Sequence, residues 1–164
     1  MRRAVGVGLI LIIVLWLQVG FFGGLRLFGV VPNLLLIALT YWALNRQASE
    51  ALTAALIGGL VLDFASGSDF GLRLAFYSFY ALGVMYLRQR GAGQSVLVIS
   101  AALATGTILF NLVVLSTLVA KHLPIDYPIA IKLIALELLL NLMIALLPKK
   151  IWSWSLRPPR ESLA

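Results

Sequence analysis

Residues 95–120 read SVLVISAALATGTILFNLVVLSTLVA, a run without one charged side chain. A helix that crosses the hydrocarbon core of a bilayer needs about 20 mostly apolar residues, with a range of roughly 17–25, and this stretch is long enough. Five further apolar segments lie on either side of it, at 4–22, 30–44, 49–64, 70–87 and 128–147. The pattern predicts an all-α chain: a polytopic membrane bundle of six transmembrane helices in a single integral membrane domain covering 1–164. The segments at 30–44 and 49–64 are short for spans. Together they read as a tight helical hairpin turning at Asn45-Arg46-Gln47.

Composition agrees. The 164 residues are 62% hydrophobic and 12% charged, where a soluble domain carries about 25% charged residues. Mean hydropathy is +1.02. The spans use nearly the whole length, so no soluble domain is left over. The first segment, behind Met1-Arg2-Arg3, has the length of a long signal-peptide core. No small-residue cleavage site follows it, and a retained first helix is expected.

The formal net charge of +7 does not point to nucleic acid, because the basic residues sit in loops and tails. No basic, aromatic-interleaved surface is long enough to follow a phosphate backbone. Their placement instead sets orientation. With the N-terminus in the cytoplasm, the inner side holds Arg2, Arg3, Arg46, Arg88, Arg90, Lys149, Lys150, Arg157 and Arg160, against Arg26, Arg73, Lys121 and Lys132 outside. The positive-inside rule is then obeyed, and only for an even number of spans. Both termini are expected in the cytoplasm, with Trp152 and Trp154 as an interfacial anchor and 151–164 as a short cytoplasmic tail.

No Walker loop, G-x-S-x-G, S-x-x-K or H-E-x-x-H occurs, and nothing pairs a nucleophile with a base. The chain has no cysteine, and its one histidine, His122, lies in a loop beside Lys121. No catalytic residue, cofactor or metal is expected.

The informative residues are polar groups inside apolar helices, where each needs a partner. Glu137 lies midway along the last segment, and a carboxylate at the bilayer centre costs several kcal/mol by insertion scales. It has to be protonated, hydrogen-bonded or turned to a wet cavity. Asn141 is one turn on, at i+4, and shares its face. Asn111 is a third intramembrane polar group. Either these residues fix packing through interhelical hydrogen bonds, or they serve a proton- or ligand-coupled role.

In the third segment Ala51, Ala55, Gly59 and Asp63 follow one another at i+4, a small-residue stripe that leads to a carboxylate. Ala54 and Gly58 form the adjacent row. Such stripes let helix backbones approach closely, so Asp63 is expected to face the bundle or a protein partner. Which of the two is left open. Pro32-Asn33 opens the second segment with ordinary helix-start chemistry.

Taken together, these residues resemble the MreD family of bacterial rod-shape-determining membrane proteins. The resemblance is carried by Leu17-Gln18, then Val31-Pro32-Asn33-Leu34-Leu35-Leu36 and Gly58-Gly59-Leu60-Val61-Leu62-Asp63-Phe64. Gly67, Phe70-Gly71-Leu72 and Tyr77 follow. It covers the whole chain in layout and about residues 17–80 in motif. From Gln94 onward only hydropathy matches. The resemblance implies a non-enzymatic subunit of the cell-elongation, peptidoglycan-synthesising complex in the bacterial cytoplasmic membrane. Its implied partners are MreC directly, with MreB, RodA and a penicillin-binding transpeptidase in the same complex. It also implies a fold like the substrate-binding subunits of energy-coupling-factor transporters. On this view Pro32, Asn33, Ala51, Ala55, Gly59, Asp63, Gly67 and Gly71 shape a partner-binding or bundle-packing surface. The alternative is a small-solute-binding subunit of a membrane transporter, with Asn111, Glu137 and Asn141 lining its pocket.

Overall fold

The computed structural model describes residues 2–25, 29–45, 48–66, 70–91 and 95–146. Gly67, the Arg46-Gln47 turn and the tail with Trp152, Trp154 and Arg157 lie outside the described residues. The described chain is helical throughout, in six helices. They are α1 (Arg2–Trp16), α2 (Leu34–Asn45), α3 (Ala48–Ser66), α4 (Leu72–Gln89), α5 (Val96–Ala120) and α6 (Tyr127–Leu146). The axis of α1 continues through a π-helical turn, Leu17–Phe22, into Gly23–Leu25. Three helices, α3, α5 and α6, are long and apolar enough to cross a membrane.

The short helix is the central one. Ten consecutive residues of α2, Leu35 to Leu44, are buried, and α2 packs against all five other helices. A helix that is apolar all round belongs in a core. Its 12 residues rise only about 18 Å at 1.5 Å per residue, well short of the roughly 30 Å of a bilayer core. Helix geometry starts at Leu34, later than the apolar segment at 30–44, because helical backbone is disfavoured at the residue before a proline, which keeps Val31 out of the helix. Asn33 then caps the helix, its Oδ1 accepting the Leu36 N–H at 3.1 Å. The third segment differs in the other direction. It is helical for 19 residues, to Ser66, since Asp63 sits within the last turn and does not end it.

The most extensive contact in the bundle joins α3 to α4. Here a Cβ on Gly59 would stand 2.6 Å from the Leu74 Cα and 3.0 Å from its backbone nitrogen. Only glycine permits this approach. Ala51, Ala54, Ala55, Gly58, Leu62 and Asp63 are buried along the same helix. The seam faces α4, α2 and α1, so the small-residue stripe packs within the chain.

Candidate functional site

Asp63 and α4 form the first cluster. Gly71 stands at the N-cap of α4 with φ of 93°, a left-handed conformation that glycine adopts without steric penalty, but it has no side chain to cap with. The Asp63 carboxylate caps instead. Its Oδ2 accepts from Gly71 N at 3.0 Å and Leu74 N at 3.1 Å, and Oδ1 accepts from Arg73 N at 3.0 Å. An anion at a helix N-terminus is favoured by both the unpaired N–H groups and the helix dipole. Arg73 returns the contact, its guanidinium donating to the Leu62 carbonyl at 2.9 Å. The two helices are thus joined end to end by charged hydrogen bonds beside the close contact at Gly59.

The second cluster is a polar knot at the start of α2. The Asn33 backbone N–H donates to Asn141 Oδ1 at 2.8 Å. Tyr77 donates its hydroxyl proton to Asn33 Oδ1 at 3.0 Å. Gln18, carried by the π-helical turn, accepts the Leu35 N–H at 2.8 Å. Asn141 in turn donates to Thr107 Oγ1 at 3.0 Å. Five of the six helical rods therefore meet around the first turn of α2, and the N–H groups that a helix start leaves open are satisfied by side chains. In an apolar interior this matters, because a backbone N–H left unpaired there costs several kcal/mol.

The third cluster joins α5 to α6. Asn111 donates its amide to Glu137 Oε2 at 2.9 Å and to the Thr107 carbonyl at 2.9 Å. Asn111, Glu137 and Asn141 thus lie on one connected network through Thr107. A cavity of about 440 Å³ opens above the knot, bordered by Gln18, Asn33, Arg73, Tyr77, Phe110 and Glu137 among others. Of the three intramembrane polar residues singled out from sequence, Glu137 is on its wall, while Asn111 and Asn141 are not.

Pro32 and Asn33 are buried at the knot, and Ala51, Ala55, Gly59, Asp63 and Gly71 belong to the α3–α4 seam. The two groups meet at Tyr77, which reaches Asn33 from α4. Sequence reasoning passed over Gln18 as a hydrogen-bonding group, and also Thr40, Arg73, Tyr80 and Thr107. Thr40 Oγ1 and the Tyr80 hydroxyl are 2.6 Å apart, and Tyr80 donates to the Ala102 carbonyl at 3.1 Å. The rule that picked out Asn111, a polar side chain in an apolar run, also finds Thr40, Thr107 and Gln18. Among the described residues no group of three or more His, Asp or Glu is placed to hold a metal ion.

Fold and site define a helical bundle with the apolar helices of a membrane protein, whose interior polar groups tie helix to helix. The family model described as MreD, rod shape-determining protein MreD, matches residues 2–154, and the chain belongs to that family. It is accordingly a rod-shape-determining membrane protein, in a family not known for enzymes. The match takes in the second half of the chain, where only hydropathy had supported the resemblance. Neither the curated proteins nor the solved structures contain a match.

Proposed function

We propose that this chain is a non-enzymatic subunit of the cell-elongation complex in the bacterial cytoplasmic membrane, with six spans and both termini in the cytoplasm. It binds MreC and through it holds the MreB filament, RodA and its transpeptidase in one assembly. The observation that carries this reading is how the polar groups are used. Asp63, Asn33, Asn111, Glu137 and Asn141 each take part in a helix-to-helix hydrogen bond, which is the chemistry of a rigid bundle rather than of a reaction.

The stripe and Asp63 serve the partner indirectly, by fixing the α3–α4 hairpin. The hairpin's outward side presents Ile57, Val61, Phe64 and Phe70, with the last two rings edge to face at 5.0 Å. This apolar side is the MreC-binding face. Depletion of the protein should convert rods to spheres, and re-expression should restore them. Unchanged cell width on depletion would refute the reading.

The cavity supports a second reading, a small-solute-binding subunit of a membrane transporter. Arg73 and Glu137 give its wall one cationic and one acidic side chain, and Phe110 and Tyr77 give it apolar surface. Saturable binding of a small molecule to the purified protein, with normal cell width on deletion, would favour it.

A further inference from the structure

Helices α4 and α5 both pack on α2, but they touch each other little. Toward the end of the bundle that carries the Gln89–Val96 connection they leave a groove open to the side. Its volume is about 600 Å³. Phe76, Phe79, Gly83 and Leu87 line it from α4, and Ala101 and Leu109 from α5. The Tyr80 hydroxyl, also on its wall, is occupied by Thr40 and the Ala102 carbonyl, so the groove asks for hydrocarbon. At its mouth Tyr86 is covered by Arg90. The Arg90 guanidinium stands 5.0 Å from the ring centroid and donates to the Tyr86 hydroxyl. Most of its five N–H donors remain for another acceptor.

Surface chemistry and charge select the occupant. The groove wall is apolar along α4 and α5, which suits an acyl chain, and the cation held at the open end complements a phosphate. We infer that the α4–α5 groove is a binding site for an anionic phospholipid, with an acyl chain lying against Gly83 and Ala101 and the headgroup phosphate on Arg90. In the orientation proposed above, the lipid comes from the cytoplasmic leaflet. The inference is independent of MreC binding.

Native mass spectrometry of the full-length protein, titrated with dioleoyl phosphatidylglycerol and dioleoyl phosphatidylcholine, tests it. The wild type should retain the anionic lipid about five-fold better, the effect of one arginine near an anionic headgroup. Arg90→Gln should bring the ratio close to one. Gly83→Leu should abolish retention of both lipids. A Cβ at Gly83 meets nothing within 4 Å, so the fold should tolerate the change. If its melting temperature nevertheless falls, Ala101→Phe, at an exposed groove position, decides alone by the same criterion. Retention unchanged in the groove-filling variant, or a five-fold ratio that survives Arg90→Gln, overturns the inference. So does a Gly83→Leu variant that keeps its lipid but no longer captures MreC, which would make the groove a seat for a partner helix.

Discussion

Asn141 accepts the backbone N–H of Asn33 at 2.8 Å across 108 residues of sequence. This bond fixes where α2 begins. A backbone donor at a helix start is satisfied by a side chain from the last helix, and that side chain is held in turn by Thr107 of α5. The short central helix is thereby anchored inside the bundle, where its first turn has no preceding turn to bond with.

Replacing Asn141 should therefore be more damaging than replacing Tyr77. Asn141→Leu leaves the Asn33 N–H buried without a partner, a loss of about 1–3 kcal/mol. Tyr77→Phe leaves Asn33 Oδ1 still bonded to Leu36 N and should lose about 0.6 kcal/mol, the average for a hydrogen bond between membrane helices. Thermal melts in one detergent rank the two. Equal melting temperatures would mean that the knot does not hold α2.

Asp63→Ala removes the acceptor of three backbone N–H groups at the start of α4. Loss of a cap costs about 0.5–2 kcal/mol, and hydrogen bonds to charged groups contribute about 1.5–3 kcal/mol, so a drop of about 2–3 kcal/mol is expected. Asp63→Asn keeps one acceptor oxygen and should fall between alanine and wild type. Denaturant titration of helical signal measures the order.

Gly59 and Gly83 are opposites in packing, one pressed against a neighbouring backbone and the other facing open space. Gly59→Ala puts a methyl 2.6 Å from the Leu74 backbone, which cannot move without parting α3 from α4, and overpacking of this kind costs about 1–3 kcal/mol. Gly83→Ala meets open space and should gain a few tenths of a kcal/mol or more, as a helix-interior glycine replaced by alanine does. The same melts report both, and the two variants should move in opposite directions.

Much of this was legible in sequence, for a physical reason. Lipid solvent imposes long apolar runs, and any polar group inside one has to be partnered. That rule marked Asn111, Glu137 and Asn141 before any geometry was known, and the i+4 spacing of Ala51, Ala55, Gly59 and Asp63 marked a helix seam. Partners were not legible. Asp63 meets α4 and not a foreign chain because the turn after it brings Gly71–Leu74 back onto it, which spacing along one helix does not encode. That α2 is short was legible in the segment 30–44, but its start at Leu34 was not, since Pro32 and the Asn33 cap keep residues 30–33 out of the helix. The π-helical turn that delivers Gln18 to Leu35 has no signature in the run Leu17–Phe22.

Glu137→Gln separates the two functional readings. Glutamine still has an oxygen to accept from Asn111, so a residue that only ties α5 to α6 tolerates the change, and cells should keep their rod shape. Under the solute reading cell width does not depend on the protein at all, and the variant should instead lose small-molecule binding. Cell width in a strain carrying this variant as its sole copy, together with small-molecule binding by the purified variant, is the readout.

The most direct test of the assembly reading is capture of MreC from solubilised membranes by the affinity-tagged full-length protein. MreC should co-purify with the wild type and with Glu137→Gln. It should be lost with Phe64→Ser/Phe70→Ser, whose rings are on the outer face of the hairpin, at unchanged expression and melting temperature. Failure of the wild type to capture MreC, or undiminished capture by the double variant, would contradict the account.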